Sequence, residues 1–214
     1  YFRDNGYDFV LFSDQDSSAP QNLVAKLLEA YCTLSVNNII SCIGPMPVNR
    51  KTGKPYIYHQ CIIDECEESG FCFNKMHSII SSYSLVPMKN FSEVGLMNER
   101  LFIDFVEQDW CWRAAAYHNM MCVMIPSVKI EHELGVSSSF LGHNINVSST
   151  FRIYYQTRNL LWLCRKSYVP SYWKKMNLKK LVVKFFYYSV FPKQRMRYCK
   201  RMLKGVVDGI FSPI

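Results

Sequence analysis

No CxxC pair occurs among the nine cysteines of this 214-residue chain. Their number is odd and they are scattered, several inside apolar runs, which argues against a disulfide framework and for reduced thiols in the cytoplasm. Cys61, Cys66 and Cys72 cluster, but gaps of four and five residues do not make a zinc-binding spacing, and free thiols are expected there. The opening YFRDNGYDF lacks a basic start followed by an apolar run, so it does not read as a signal peptide. It also lacks an initial Met, and a preceding portion is expected. There is no internal repeat and no low-complexity tract. Acidic residues all but vanish from the last fifty positions: residues 165–214 hold 13 Lys+Arg against 1 Asp+Glu, a balance of +12, whereas residues 1–164 hold 12 against 16, a balance of −4. A cationic tail on an acidic body points to an anionic surface as partner of the tail alone. A nucleic-acid-binding protein would spread its basic residues over the folded part as well, so no nucleic-acid partner is expected.

What is present is core-forming. Apolar residues make up 49% of the chain, with 14 Phe, 14 Tyr and 4 Trp, which predicts a packed domain rather than disorder. Residues 7–13 read as a buried strand. SSAPQNLVAKLLEAYCTL follows as a helix, with Ser18 as N-cap, Pro20 in the first turn, and Leu23, Leu27, Leu28 and Tyr31 on one face. NIISCIGP reads as a short strand stopped by Gly44 and Pro45. Strand, helix, strand at this spacing predicts an α/β fold with a largely parallel sheet. Further on, NRKTGKP predicts a turn, and SIISSYSLVPMKNFSEVG a strand, a break at Pro87 and a short helix. The stretch from Trp110 to Tyr117 has helical spacing, and MCVMIPSVKIEHELG predicts two short strands and a turn at Gly135.

Four constellations could carry chemistry. FSDQDSS sets Asp14 and Asp16 at the carboxyl end of a strand, where such sheets bind ligands. Two carboxylates this close repel unless water or a cation lies between them, and a hard divalent cation can be shared with nucleotide phosphates. The alternative is an ordinary cap and turn. LFIDFVEQDWCWR holds Asp104, Glu107 and Asp109 ahead of Arg113. Asp109 and Arg113 are an i,i+4 pair, leaving Glu107 to point into a site as a general base. KIEHELG places His132 at the end of an apolar strand. FRIYYQTRN offers Arg152 and Arg158, with Tyr154 and Tyr155, as forks for a diphosphate or as a helix packing its aromatics inward.

In this order the segments FSDQDS, GLMNERLFIDFVEQDWCWR, HELG and RIYYQTRN resemble the rhamnosyltransferase-like branch of the inverting GT-A glycosyltransferases of family 2. The match covers about residues 7–165. The resemblance implies a GT-A-like, mostly parallel sheet flanked by helices over residues 1–164, the catalytic domain, and a basic helical tail over 165–214. It implies that Asp14, Asp16 and His132 hold Mg2+ or Mn2+, that Glu107 is the catalytic base with Asp109 as second acid, and that Arg113, Arg152, Tyr154, Tyr155, Arg158 and Asn159 flank donor and acceptor. Residues 14, 16, 107 and 132 would meet around one cleft. The implied reaction transfers a sugar, rhamnose from dTDP-rhamnose by default, to a lipid-linked saccharide of a surface polysaccharide such as O-antigen.

The sequence departs from the branch pattern in places. Glu107 stands where Asp is usual, Asp109 where Glu is usual, and Tyr83 where Gly is usual. The nucleotide-binding βαβ unit with which the family opens does not precede Tyr1. The chain therefore reads as a partial transferase, and the rival expectations are a basic nucleic-acid-binding protein and an inactive transferase acting as a partner for another transferase. In the tail, Lys174, Asn177, Lys180 and Lys184 form one stripe, and Leu178, Leu181, Val182 and Phe185 the other. The tail's apolar runs fall far short of the about 18–20 residues of a spanning helix, so an interfacial helix on the inner, cytoplasmic face of the membrane is expected.

Overall fold

The computed structural model describes residues 6–15, 17–50, 52–56, 61–132, 137–140 and 143–212, the backbone alone at 132, 137–140 and 143–146. The chain divides into two compact units: Tyr1–Met97 with Trp110–Glu133, and Asn98–Asp109 with Leu134–Ile214.

The first unit is built on strands β1 (Phe9–Leu11), β2 (Ile40–Asn49), β3 (Ile62–Glu68), β4 (Phe71–Met76), β5 (Leu85–Pro87) and β6 (Met121–His132), in the order β1-β5-β2-β6-β4-β3. Helices α1 (Leu23–Leu34), α2 (Met88–Val94) and most of α3 (Val106–His118) belong to the same unit. The fold is α/β as expected, but the sheet is mixed, not mostly parallel. Of the strand pairs described, β2 with β6 is parallel, and β1–β5, β5–β2, β6–β4 and β4–β3 are antiparallel. β1 and β2 do run in the same direction around α1. The short β5, supplied from far downstream, lies between them and runs the other way, which local spacing cannot reveal.

Side chains alternate across the sheet with the period of two that strands impose. Ile43, Val123 and Ile125 pack with Leu23, Leu27 and Leu34 of α1, while Cys42, Cys122 and Met124 pack with Trp110, Cys111 and Ala114 of α3.

Three local expectations are corrected. Ser18 is not an N-cap: its N–H donates to the Glu131 carbonyl at 3.1 Å and its carbonyl accepts from the Glu131 N–H at 3.0 Å. The chain is therefore extended there, and α1 starts only after the Leu23 N–H closes a turn onto Pro20. β2 is not stopped by Gly44 and Pro45. A Cβ at Gly44 would lie 2.9 Å from Ile79 Cδ1, so a side chain there would require Ile79 to shift. The missing N–H of Pro45 falls where the β2–β6 register shifts. At that shift Pro45 pairs with Ile125 and Met46 with Lys129, so Pro126 is accommodated in a bulge and β6 is one strand, not two. Gly135 lies outside the described residues.

The second unit contains a hairpin of β7 (Ser137–Phe140) and β8 (His143–Asn146) and helices α4 (Thr150–Cys164), α5 (Ser171–Val190) and α6 (Arg195–Phe211). The basic tail is thus two helices, separated at Pro192, which cannot donate a backbone bond. α6 lies against α4 at backbone distance. A Cβ at Gly205 would come within 2.8 Å of the Tyr154 carbonyl, and one at Gly209 within 2.8 Å of the Arg158 carbonyl. Packing therefore crosses the charge boundary at residue 164. Ile153, Tyr188 and Met202 form one buried cluster of this unit, with Tyr188 and Tyr198 stacked at 4.5 Å.

Candidate active site

In the first unit the DQDSS segment leaves the end of β1 with Asp14 exposed. Asp16 lies outside the described residues. The segment is anchored just beyond it: the Ser82 hydroxyl donates to Ser17 Oγ at 2.7 Å and the Tyr83 hydroxyl donates to the Ser17 carbonyl at 3.2 Å. Tyr83 has φ +56°, the left-handed region that glycine occupies without strain. The Gly of the branch pattern thus has a conformational reason here, and the ring that replaces it packs partly buried against the core. The Ser18–Glu131 bridge makes the chain just after Asp16 a hydrogen-bonded neighbour of the chain just before His132. His132 pairs through its backbone with Asn49 at the end of β2, and its side chain lies outside the described residues. Two carboxylates and an imidazole are a donor set suited to Mg2+ or Mn2+.

Arg113 faces the backbone. Its Nη1 donates to the Val94 carbonyl at 2.8 Å and its Nη2 to the Leu96 carbonyl at 2.9 Å, and Trp110 Nε1 donates to the Gly95 carbonyl between them at 2.8 Å. Arg and Trp together fasten the turn after α2, where Gly95 has φ +84°.

In the second unit, Glu107 and Asp109 occupy the first turn of α3, where the helix dipole favours anions. Glu107 is half-buried, and Asp109 is fully buried and accepts from the Tyr168 hydroxyl at 2.6 Å. The residues before the helix are bent: Phe102, Asp104 and Phe105 all have positive φ, at 63°, 65° and 68°. Three left-handed non-glycine residues in four positions cost free energy and persist only when held.

What holds them is the RIYYQTRN segment of α4. Asn159, fully buried, donates through Nδ2 to the carbonyls of Leu101 and Ile103 at 2.8 and 2.9 Å. Arg158 donates to the Arg100 carbonyl and to Asn159 Oδ1, with its guanidinium 4.8 Å from the Tyr155 ring centroid. Arg152 grips Asp104 with Nε and Nη2 at 2.9 and 2.7 Å, and this pairing holds the guanidinium pKa above its usual value, with Glu107 adding to the effect. Tyr154 donates to Asp208 of α6 at 2.6 Å. A cavity of about 450 Å³ beside them is lined by Arg100, Tyr154, Arg158, Trp162, Asp208 and Ser212.

The sequence offers Arg152, Arg158, Tyr154 and Tyr155 as forks for a diphosphate or as an inward-packing helix face, and spacing does not reveal that Arg152, Arg158 and Asn159 brace the turn just before the helix of Glu107. The clue available was the unusual run FIDF, rich in bulky residues directly before a helix. Spacing does not reveal Tyr168 either, nor a buried group of Cys42, Cys111 and Cys122 whose sulfurs lie within 4.8 Å of one another. Those thiols come from β2, α3 and β6 and sit among Met76, Val86 and Met124. Hydrogen bonding inside the group and burial hold the Cys111 thiol well above its ordinary pKa.

No protein-family model matches the chain. It is 30% identical over 222 aligned residues to the dTDP-rhamnosyl transferase RfbF of Shigella flexneri, an alignment covering 98% of this chain and 71% of that protein. The crystal structure of GalNAc-T7 with UDP, GalNAc and Mn2+ is similar over 86% of this chain at 12% identity and a TM-score of 0.43, and the chain spans 40% of the length of that protein. Identity at this level along nearly the whole chain places it in a family: the protein is a glycosyltransferase of the rhamnosyltransferase-like family.

Proposed function

We propose that the protein is an inverting transferase that moves rhamnose from dTDP-rhamnose to a hydroxyl of a lipid-linked saccharide in the assembly of a surface polysaccharide such as O-antigen. The observation that carries this reading is the 30% identity, over 98% of the chain, to a dTDP-rhamnosyl transferase. Residues 1–164 are the catalytic, GT-A-like part in this reading. Residues 165–214 are a basic tail that keeps the enzyme at the cytoplasmic face of the membrane, close to a lipid-borne acceptor. Among the described residues no helix is long and apolar enough to cross a membrane.

Glu107 is the base. Its carboxylate takes the proton of the acceptor hydroxyl as that oxygen attacks the anomeric carbon from the face opposite the donor diphosphate. The bond from that carbon to the diphosphate oxygen breaks with its electron pair, and one displacement inverts the configuration. Asp109 is a positioning residue, since its buried carboxylate and its bond to Tyr168 fix the first turn of α3. Arg152, Arg158 and Asn159 position the same helix by bracing the turn before it, and Tyr154 and Tyr155 flank them. Asp14, Asp16 and His132 would hold a divalent cation, an assignment supported by the Ser18–Glu131 backbone bridge. When bound, that cation supplies neutralisation of the charge growing on the leaving diphosphate.

Radiolabelled dTDP-rhamnose with acceptor-bearing membranes tests the reading. Transfer is expected, and Glu107→Gln should lower it by about 10²–10⁴-fold while calorimetric donor binding persists. Asp16→Ala should remove cation-dependent donor binding. Donor binding without transfer by the unmodified protein would favour the inactive partner instead.

A further inference from the structure

Helix α5 buries Trp173 and Tyr188 and packs Leu181 beside Tyr188, and two of its lysines also turn inward: Lys184 donates to Gln156 of α4 at 3.0 Å and Lys174 to the Lys166 carbonyl. A second apolar stripe turns outward, with Leu178, Val182, Phe186 and Val190 all exposed, Val182 at 56% and Val190 at 61%. These four lie at spacings of four residues, one face of a helix. α6 repeats the pattern with Met196, Leu203, Val207 and Phe211 exposed on its outer side, Met196 at 67%.

Where the two helices join, Val190, Phe191, Pro192 and Met196 line an open groove together with Lys193, Arg195 and Arg197. The three basic residues are exposed. The one carboxylate of residues 165–214, Asp208, is tied to Lys204 at 3.1 Å and to Tyr154.

We propose that the α5–α6 tip and the outer stripes of both helices seat the protein on an anionic lipid bilayer, with Val190, Phe191 and Met196 entering the acyl boundary and Lys193, Arg195 and Arg197 on the headgroup phosphates. The inference deepens the membrane placement proposed above and rests on it. Charge decides the occupant. A stripe meant for a second copy of this chain would bring two strongly cationic surfaces together, whereas an anionic bilayer offers apolar depth beneath a negative layer and lets long basic side chains reach upward from apolar neighbours.

The test is cosedimentation of the full chain with phosphatidylcholine vesicles, with and without 30% phosphatidylglycerol (about the anionic share at which polybasic surfaces respond). Binding is expected only with the anionic lipid. It should weaken at least about tenfold, the effect of placing a charge at an apolar contact, in Met196→Asp and in Val190→Asp. The triple change Lys193→Gln, Arg195→Gln, Arg197→Gln should weaken binding and lower its salt dependence. All these positions are exposed, so circular dichroism and donor binding should match the unmodified protein. Equal vesicle binding by the Asp variants overturns the proposed face. So does absence of vesicle binding, or a concentration-dependent dimer that the Asp variants abolish. Vesicle binding by a chain that transfers no rhamnose leaves the docking face standing and removes the transferase reading.

Discussion

Helix α1 buries Leu23, Leu27, Ala30, Tyr31 and Leu34 and gives Val24, Lys26 and Glu29 to solvent, whereas α5 buries Trp173 and Tyr188, turns Lys184 inward and leaves Leu178, Val182, Phe186 and Val190 outside. Both stripes have helical period, so periodicity alone treats the two helices alike. What separates them is the surface each meets. α1 lies on a sheet face of Ile43, Val123 and Ile125, which rewards apolar contact. α5 meets Gln156 and Ile153 of α4 and Met202 and Tyr198 of α6 through Lys184, Leu181, Tyr187 and Tyr188, leaving Leu178, Val182, Phe186 and Val190 for something else. An amphipathic pattern therefore says that a helix has two faces and not which one points home.

The widest test of this contrast is truncation. Leu27→Ala removes a fully buried side chain and should cost about 2–5 kcal/mol of stability, read as a lower urea midpoint. Val182→Ala should stay within about 0.5 kcal/mol, as exposed substitutions do. Comparable losses would mean that the outer stripe of α5 is core.

A second test concerns the brace on the turn before α3. Asn159→Ala removes the buried amide that donates to the Leu101 and Ile103 carbonyls, and a lost buried partner costs about 1–3 kcal/mol. Because that turn leads directly into the helix bearing Glu107, transfer should fall more steeply than stability, with kcat reduced and donor binding retained. Loss of stability with unchanged kcat would separate the brace from the reaction.

Much of the first unit was legible beforehand. The helix of α1, the break at Pro87, the helical spacing from Trp110 and the turn at Asn49–Lys54 all follow from periodicity and from Pro and Gly placement. The sheet order was not legible, because three-residue strands such as β1 and β5 carry almost no pattern and their pairing is decided by distant contacts. Residue types and their order are enough to nominate candidate residues, but not to give their partners. That Arg152 meets Asp104 and that Asn159 meets Leu101 are facts about chain crossing, invisible to spacing. Tyr83 lies between these cases. The branch pattern has Gly at this position, and φ +56° is a backbone that Gly adopts without strain, a reason visible only in the structure. Tyr83→Phe should cost about 0.5–1.5 kcal/mol through the lost bond to the Ser17 carbonyl, read by thermal melting. An unchanged melting temperature would show that the DQDSS segment does not depend on this anchor.

The smallest effect expected is also the one that sharpens the contrast between α1 and α5 most directly. Lys184 sits inward near Lys180 and Arg152, with Asp104 as the opposing charge and Gln156 as its hydrogen-bond acceptor. Burial, followed by repulsion from the two cations, outweighs Asp104 and lowers the ammonium pKa below the ordinary 10.5. In the unfolded chain the ammonium keeps its proton up to that ordinary value, so between the folded and unfolded pKa values the unfolded state binds more protons. Stability must then rise with pH across this window. A charged lysine held inward opposes folding at neutral pH, and the opposition fades as alkali removes the proton. Melting temperatures taken from neutral pH toward 10.5 should therefore climb more, or fall less, in the unmodified protein than in Lys184→Gln. Identical pH dependence in the two would mean that the ammonium is in water. The inward orientation of α5 would then rest on Trp173, Leu181 and Tyr188 and not on Lys184.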